Sequence, residues 1–386
     1  MANPASTVRT TTIRRLGTLV VISLIPLVST LSPARPVAAL SSRVWIEHPE
    51  GNPPPRTVAT MAYDAARQET VLFGGSISGG RLGDTWTRRG DTWTQRFPAA
   101  SPSPRTQSAM AYDPLRAEVV LFGGYIDSSA TILGGTWIWD GTTWNERFPA
   151  TSPPPTAGHA MALDARGQVV LFGGIVAGVQ RSSATWTWDG TTWTERPGVN
   201  PEPRHLHGMA YDAARGQTVL FGGNGNFGDT WTWDGTTWTR RATAVSPSPR
   251  YGFGIAYDSA WGATVLFGGF DSSTVLGDTW AWDGSTWDQQ LTLDSPPPTG
   301  YHSLAYDEAQ TQTVLFGGGG VGVLLPSTWT LGDSVTPSTT TSTTTPATTT
   351  STLGPVSICS FVERLSSTLA FLGPLLRVLS RLLGCR

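Results

Sequence analysis

The sequence predicts an all-β fold, a six-bladed β-propeller built from four-stranded blades. Three observations carry this. A Leu-Phe-Gly-Gly block recurs six times, at Gly74-Gly75, Gly123-Gly124, Gly173-Gly174, Gly222-Gly223, Gly268-Gly269 and Gly317-Gly318. The steps between blocks are 49, 50, 49, 46 and 49 residues, the length of one blade. A Thr-Trp pair follows each block, at Trp86, Trp137, Trp186, Trp231, Trp280 and Trp329.

Each repeat reads as the same four strands. It opens on Pro-Arg or Pro-Thr, as in Pro104-Arg105 and Pro155-Thr156. A short apolar strand then ends in Asp, as in Met61-Ala62-Tyr63-Asp64 and Met209-Ala210-Tyr211-Asp212. That Asp column, at 64, 113, 164, 212, 258 and 307, is expected to cap the turn into the second strand. The second strand, Val71-Leu72-Phe73 in the first repeat, has no polar alternation, so both of its faces are expected to be buried. The third carries Thr-Trp-x-Trp, as in Thr230-Trp231-Thr232-Trp233. Asp234-Gly235 then predicts a type I′ turn into a fourth strand around Trp238.

The fourth strand also predicts closure. Its Trp recurs at 93, 144, 193, 238 and 287, but the sixth repeat stops at Leu331-Gly332-Asp333 without one. Near the other end of the chain, Val44-Trp45-Ile46-Glu47 matches Thr192-Trp193-Thr194-Glu195. Residues 43–48 are therefore expected to supply the outer strand of the last blade, which removes the open sheet edge.

Composition agrees. The chain has 386 residues with 17 Trp, 44 Gly and 29 Pro, and only 14% are charged. That excludes a helical bundle or coiled coil. A hydrophobic share of 39% excludes a wholly disordered chain. The net charge of −2 gives no basic footprint for nucleic acid. Sixteen Trp fall in three repeat columns and only Trp261 stands outside them, so the aromatic excess reads as packing between blades.

The two ends read differently. Residues 1–39 resemble a secretory signal: Arg9, Arg14 and Arg15, an apolar stretch from Leu16 to Leu31, then Val37-Ala38-Ala39. Residues 40–333 form the propeller. Residues 334–355, nearly all Thr, Ser and Pro, read as an extended linker. Residues 356–386 regain helical periodicity, split at Gly373-Pro374. Cys359 and Cys385, the two Cys of the chain, would close that tail into a disulfide-linked helical hairpin in an oxidising exterior. The alternative is an amphipathic tail that contacts a membrane surface or cell wall.

The Gly-Gly strand followed some ten residues later by Trp resembles the kelch repeat of secreted bacterial propellers and of the galactose-oxidase central domain. The resemblance covers residues 43–333. It implies that the first strand is innermost, so that the column Ala59, Ser108, His159, His207, Phe253 and His302 lines the channel. His159, His207 and His302 are then candidate metal ligands. The preferred reading makes them partners of neighbouring backbone, since no carboxylate or Cys joins the column. The most variable segments follow the Gly pairs and open on one face. They offer Tyr125, Phe227 and Phe270 as stacking surfaces, with Asp127, Asn224 and Asp271 as polar partners.

Catalysis finds less support. Copper oxidases of the galactose-oxidase type use a Tyr joined to a Cys, and residues 40–333 hold no Cys. Asp127 and Asp271 fall on blades two and five, too far apart for a glycosidase pair, which needs roughly 5–10 Å. The expectation is a monomeric, secreted or surface-displayed scaffold without a cofactor, which binds a glycan, peptide or protein. The alternative is a carbohydrate-active enzyme at the channel mouth.

Overall fold

The strands form where the repeat places β-branched and aromatic residues. A computed structural model describes residues 43–126, 131–177, 180–292, 294–320 and 323–333. The expected signal segment, the Thr-rich linker, the helical tail with Cys359 and Cys385, and Asp127 lie outside the described residues.

The described residues hold six four-stranded antiparallel sheets and no helix. Sheet one runs Thr60–Asp64, Glu69–Phe73, Thr85–Arg89, Thr92–Arg96. Sheet two runs Ala109–Asp113, Glu118–Phe122, Thr136–Trp139, Trp144–Arg147. Sheet three runs Ala160–Leu163, Val169–Phe172, Thr185–Trp188, Trp193–Glu195. Sheet four runs Gly208–Asp212, Gln217–Phe221, Thr230–Trp233, Trp238–Arg241. Sheet five runs Gly254–Asp258, Ala263–Phe270, Val275–Trp282, Trp287–Gln290. Sheet six runs Gly300–Asp307, Gln312–Gly319, Thr328–Asp333, and its fourth strand is Arg43–His48. That strand pairs antiparallel with Thr328–Asp333, Trp45 opposite Leu331.

The first strands of successive sheets lie side by side, and that of sheet six lies beside that of sheet one. The apolar centres of the second strands are buried in every sheet: Val71, Leu72 and Phe73, for example, are at most 1% exposed.

One joint repeats at every sheet boundary. The fourth-strand Trp reaches across to the Phe of the preceding sheet's second strand. The pairs are Phe73–Trp144, Phe122–Trp193, Phe172–Trp238, Phe221–Trp287, Phe267–Trp45 and Phe316–Trp93, with ring centroids 5.2–5.5 Å apart. The same indole N–H donates to a buried Thr hydroxyl on that sheet's third strand. Trp144–Thr85, Trp193–Thr136, Trp238–Thr185, Trp287–Thr230, Trp45–Thr279 and Trp93–Thr328 all span 2.9–3.1 Å. A buried Trp N–H usually takes such a partner, and in this structure the fourth-strand indoles have one while those of Trp139, Trp188, Trp233 and Trp282 do not.

The Asp column caps its turns as expected. Asp164 Oδ1, for example, accepts from the backbone N–H groups of Arg166 and Gln168, both at 2.9 Å. Arg67, Arg116 and Arg215 then pair with Asp64, Asp113 and Asp212 at 2.7–2.8 Å. In sheet five that Arg position is Trp261, the Trp outside the columns. Arg43 of the fourth strand of sheet six supplies the cation instead, 2.9 Å from Asp258 and 5.6 Å over the Trp261 ring.

The Asp-Gly turns differ from the type I′ expectation. That turn needs positive φ at both central residues. Here Gly141, Gly190, Gly235 and Gly284 have φ of 94–97°, and no neighbouring non-Gly residue of these turns is positive. The Asp side chain shapes the loop instead: Asp140 Oδ1 accepts from the Thr142 and Thr143 N–H groups at 2.8 and 2.9 Å. The Gly serves a second purpose. The Arg of the preceding sheet's first turn lies against it, so a Cβ on Gly190 would run into the Arg116 guanidinium. Gly190→Ala is expected to cost about 1–3 kcal/mol through positive φ and displacement of Arg116. Chemical denaturation with and without the substitution checks it.

Candidate functional site

The centre of the sheets has two distinct ends. Where the first strands finish, Tyr63, Tyr112, Tyr211, Tyr257 and Tyr306 border a cavity of about 260 Å³ with Met61, Met110, Met161 and Met209. Several of these phenol oxygens accept from the backbone of the preceding sheet, as Tyr112 does from Ala66 N–H at 3.1 Å. They are ties between sheets.

The other end, where the first strands begin, is constricted by backbone. Six peptide groups bond head to tail in an unbroken cycle. The N–H of Val58 donates to Tyr301 O, Gln107 to Val58, Gly158 to Gln107, Leu206 to Gly158, Gly252 to Leu206 and Tyr301 to Gly252, at 2.6–3.2 Å. All six residues sit in the left-handed region, with φ of 51–65°. Gly158 and Gly252 adopt it freely, but Val58, Gln107, Leu206 and Tyr301 each store of the order of 1–3 kcal/mol there.

Just inside the cycle lies the His column, beside a cavity of about 120 Å³. His159, His207 and His302 stand edge-on to Phe122, Phe172 and Phe267 of the preceding sheets, centroids 5.4–5.6 Å apart. Phe253 takes the same place against Phe221. His302 Nε2 accepts from Gly254 N–H at 3.0 Å, which fixes that ring as neutral. Among the described residues no group of three His, Cys, Asp or Glu is arranged to hold a metal ion. Burial pulls the His159 and His302 rings down to about 3 and His207 well below its ordinary value.

The residues expected to bind ligand have separate fates. Phe270 joins Tyr251 and Tyr301 in one cluster at the cycle: Tyr251–Phe270 stacks at 5.6 Å, and Phe270–Tyr301 lies at 4.8 Å. Tyr251 and Tyr301 lie with ring centroids 6.3 Å apart, and burial, then the neighbouring Tyr251 phenol, pushes the Tyr301 phenol up. The cluster fits because its backbone is bare: a Cβ on Gly300 would enter the Phe270 ring, and one on Gly252 would lie 2.9 Å from Tyr301 Cδ1. Two depressions flank it. One, of about 500 Å³, runs from Tyr251 and Phe270 along Asp271–Val275 to Pro298. The other, of about 300 Å³, runs from Phe270 and Asp271 to Asn224, Gly225 and Asn226.

Asn224 thus reaches the site, its Oδ1 accepting from Arg181 at 3.3 Å. Asp271 caps its own loop, taking the N–H groups of Ser273 and Thr274 at 2.7 and 2.6 Å, which lowers its pKa. It shapes the loop that carries Phe270 and keeps an exposed carboxylate edge. Phe227 is turned onto Arg204, 4.1 Å from the guanidinium, and covers a buried ion pair. Tyr125 pairs by backbone with Thr106, at 2.8 and 3.0 Å. Tyr251 and Tyr301 were not among the expected ligand contacts, since they lie outside the variable segments behind the Gly pairs. The signal was present just after each opening Pro-Arg or Pro-Thr, where Tyr251 stands in the place of Thr57 and Thr106.

No family model matches the chain, and no curated protein matches it. Among solved structures the chain is similar to YjhT, with a TM-score of 0.57 at 16% identity, over 71% of this chain and 93% of that one. The fold is a β-propeller. At this identity the likeness is one of fold and carries no activity with it.

The buried His rings give the propeller an acid limit. Their folded pKa values lie below the usual 6.5, so protonation favours the unfolded chain. Stability present above pH 6.5 is therefore lost as pH falls toward 3, by at most about 1.4 kcal/mol per pH unit and ring. Asp258 and Asp307, raised chiefly by burial, work in the opposite direction at the low end. His159→Phe, the residue type that Phe253 already places in this column, is expected to flatten the fall in melting temperature between pH 6.5 and 4. An unchanged slope would contradict the assignment.

Proposed function

We propose that the chain is a secreted or surface-displayed kelch-type propeller, its six sheets closed as blades of one ring, that binds ligand at the mouth bearing Tyr251, Phe270 and Tyr301. The observation that carries the reading is this half-buried three-ring cluster between two open depressions. The Trp of the repeat columns are taken up by packing between or within sheets, and the exposed Phe97 and Phe148 border neither depression. The cyclic hydrogen bonds and the six Phe–Trp joints support the closed ring. The export-like residues 1–39 and the Thr-rich segment 334–355 support display away from the cell.

A saccharide ring suits the mouth best. Its C–H face stacks on Phe270 and Tyr251. Its hydroxyls meet Asn224, Asn226 and the Ser272–Thr274 edge, which line the same depressions. A peptide with a flat apolar side chain is the neighbouring possibility in chemistry. Among the described residues the two depressions hold one carboxylate, Asp271, and no closely set pair, which favours binding over glycoside hydrolysis.

A glycan array probed with the full chain and with Phe270→Ala tests this. Retention of one saccharide class by the wild type, with roughly tenfold loss in Phe270→Ala, is the expected result. Equal retention by both proteins would contradict the site, and retention by neither would contradict the saccharide reading.

A further inference from the structure

The Arg column that opens the repeats is held in one way, with a single exception. Arg56, Arg204 and Arg250 are buried, and Nη1 of each donates to the carbonyl of the first Gly in its own Gly pair at 3.0–3.1 Å. Each fork also grips a carboxylate: Arg56 takes Asp84 at 2.6 and 3.0 Å, Arg204 takes Asp229 at 2.7 and 2.9 Å, and Arg250 takes Asp278 at 2.6 and 2.9 Å. The indole N–H groups of Trp86, Trp231 and Trp280 donate to the same carboxylates at 2.6–2.7 Å. Where the Arg is replaced, by Thr156 and Thr299, the Asp is replaced too, by Ala184 and Ser327.

Among the described residues, sheet two keeps the cation without the anion. Arg105 is 3% exposed. It makes the remaining bonds, Nη1 to Gly123 O at 3.1 Å, Nη2 to Ser103 Oγ at 3.0 Å and Nε to Ser103 O at 3.0 Å. The Asp place, however, is Gly135. A Cβ there would lie 3.1 Å from Trp137 Nε1 and 3.2 Å from Glu146 Oε1. Burial without a paired carboxylate pulls the Arg105 pKa down to about 10, with only the exposed Glu146 acting to raise it.

We propose that this slot is an anion site for a small carboxylate, seated on the Arg105 fork and the Trp137 indole N–H where sheets one, four and five seat an Asp side chain. A planar guanidinium matches a carboxylate with two parallel bonds, and a bidentate pair of this kind is the strongest available to it. The place is reached from solvent, since the Asp side chains that fill it elsewhere are 20%, 10% and 23% exposed. Glu146 borders the slot and opposes an anion, so affinity is weak and Glu146→Gln tightens it.

The test is thermal unfolding of the full chain against added formate, at ionic strength held constant with a bulky sulfonate salt. The wild type is expected to show a saturable rise of roughly 2 °C. Gly135→Asp, which supplies its own carboxylate, and Arg105→Thr, which copies sheets three and six, are expected to lose that response. Absence of a saturable rise in the wild type, or its persistence in Arg105→Thr, would overturn the proposal. Should Gly135→Asp fail to fold, Arg105→Thr decides alone.

Discussion

Everything in this propeller hangs on the joint between one sheet's fourth-strand Trp and the preceding sheet's Phe and Thr. Hydrogen bonds of the β ladders hold each sheet internally and contribute nothing across the boundary. The joint joins the sheets by three physical means at once. It buries two large rings, sets them at the tilted or edge-on angle that aromatic quadrupoles favour, and satisfies the one polar atom of the indole. Five of these Trp come from the repeats themselves. The sixth is Trp45, and it explains why a strand from the beginning of the chain is needed beside the last repeat. The same strand brings Arg43 to Asp258, where the repeat has put Trp261 in place of its usual Arg.

The mouth shows how the scaffold makes room for a site. The head-to-tail peptide cycle forces six residues into left-handed backbone, and sheet packing sustains that strain. At Tyr301 the forced backbone belongs to a ring that lies against Phe270. Gly252 and Gly300 remove the Cβ atoms that would keep those rings apart. The proposed binding surface is therefore a local departure in three columns of an otherwise uniform repeat. Its backbone is tied by the cycle beneath it. The opposite end of the centre, by contrast, spends its phenols on sheet-to-sheet ties.

The sheets were legible in the sequence because repetition multiplies a weak signal. One Gly-Gly pair is uninformative, whereas six in register with Leu-Phe before and Thr-Trp after define strand order, buried strand and turn. What stayed hidden involves residues that meet across sheet boundaries. The Asp-Gly turns looked like self-contained hairpins because the Arg that presses on their Gly belongs to the sheet before. Phe227 looked like an exposed stacking surface because nothing local marks Arg204 as its neighbour. Tyr251 and Tyr301 escaped because their columns hold unremarkable residues elsewhere, and left-handed backbone at a Tyr has no sequence signature. Phe270 and Asn224, expected from the sequence as ligand contacts, line the depressions of the proposed mouth, since they sit in the variable segments where repeats differ.

The most direct measure of the account is the melting temperature of Trp45→Ala beside Trp193→Ala. If the joint is one interaction repeated at every boundary, the two substitutions remove the same ring contact and the same buried hydrogen bond. Both should then lower stability comparably, by about 3–5 kcal/mol. A marked loss for Trp193→Ala with an unchanged melting temperature for Trp45→Ala would mean that the strand Arg43–His48 is not what completes the sixth sheet.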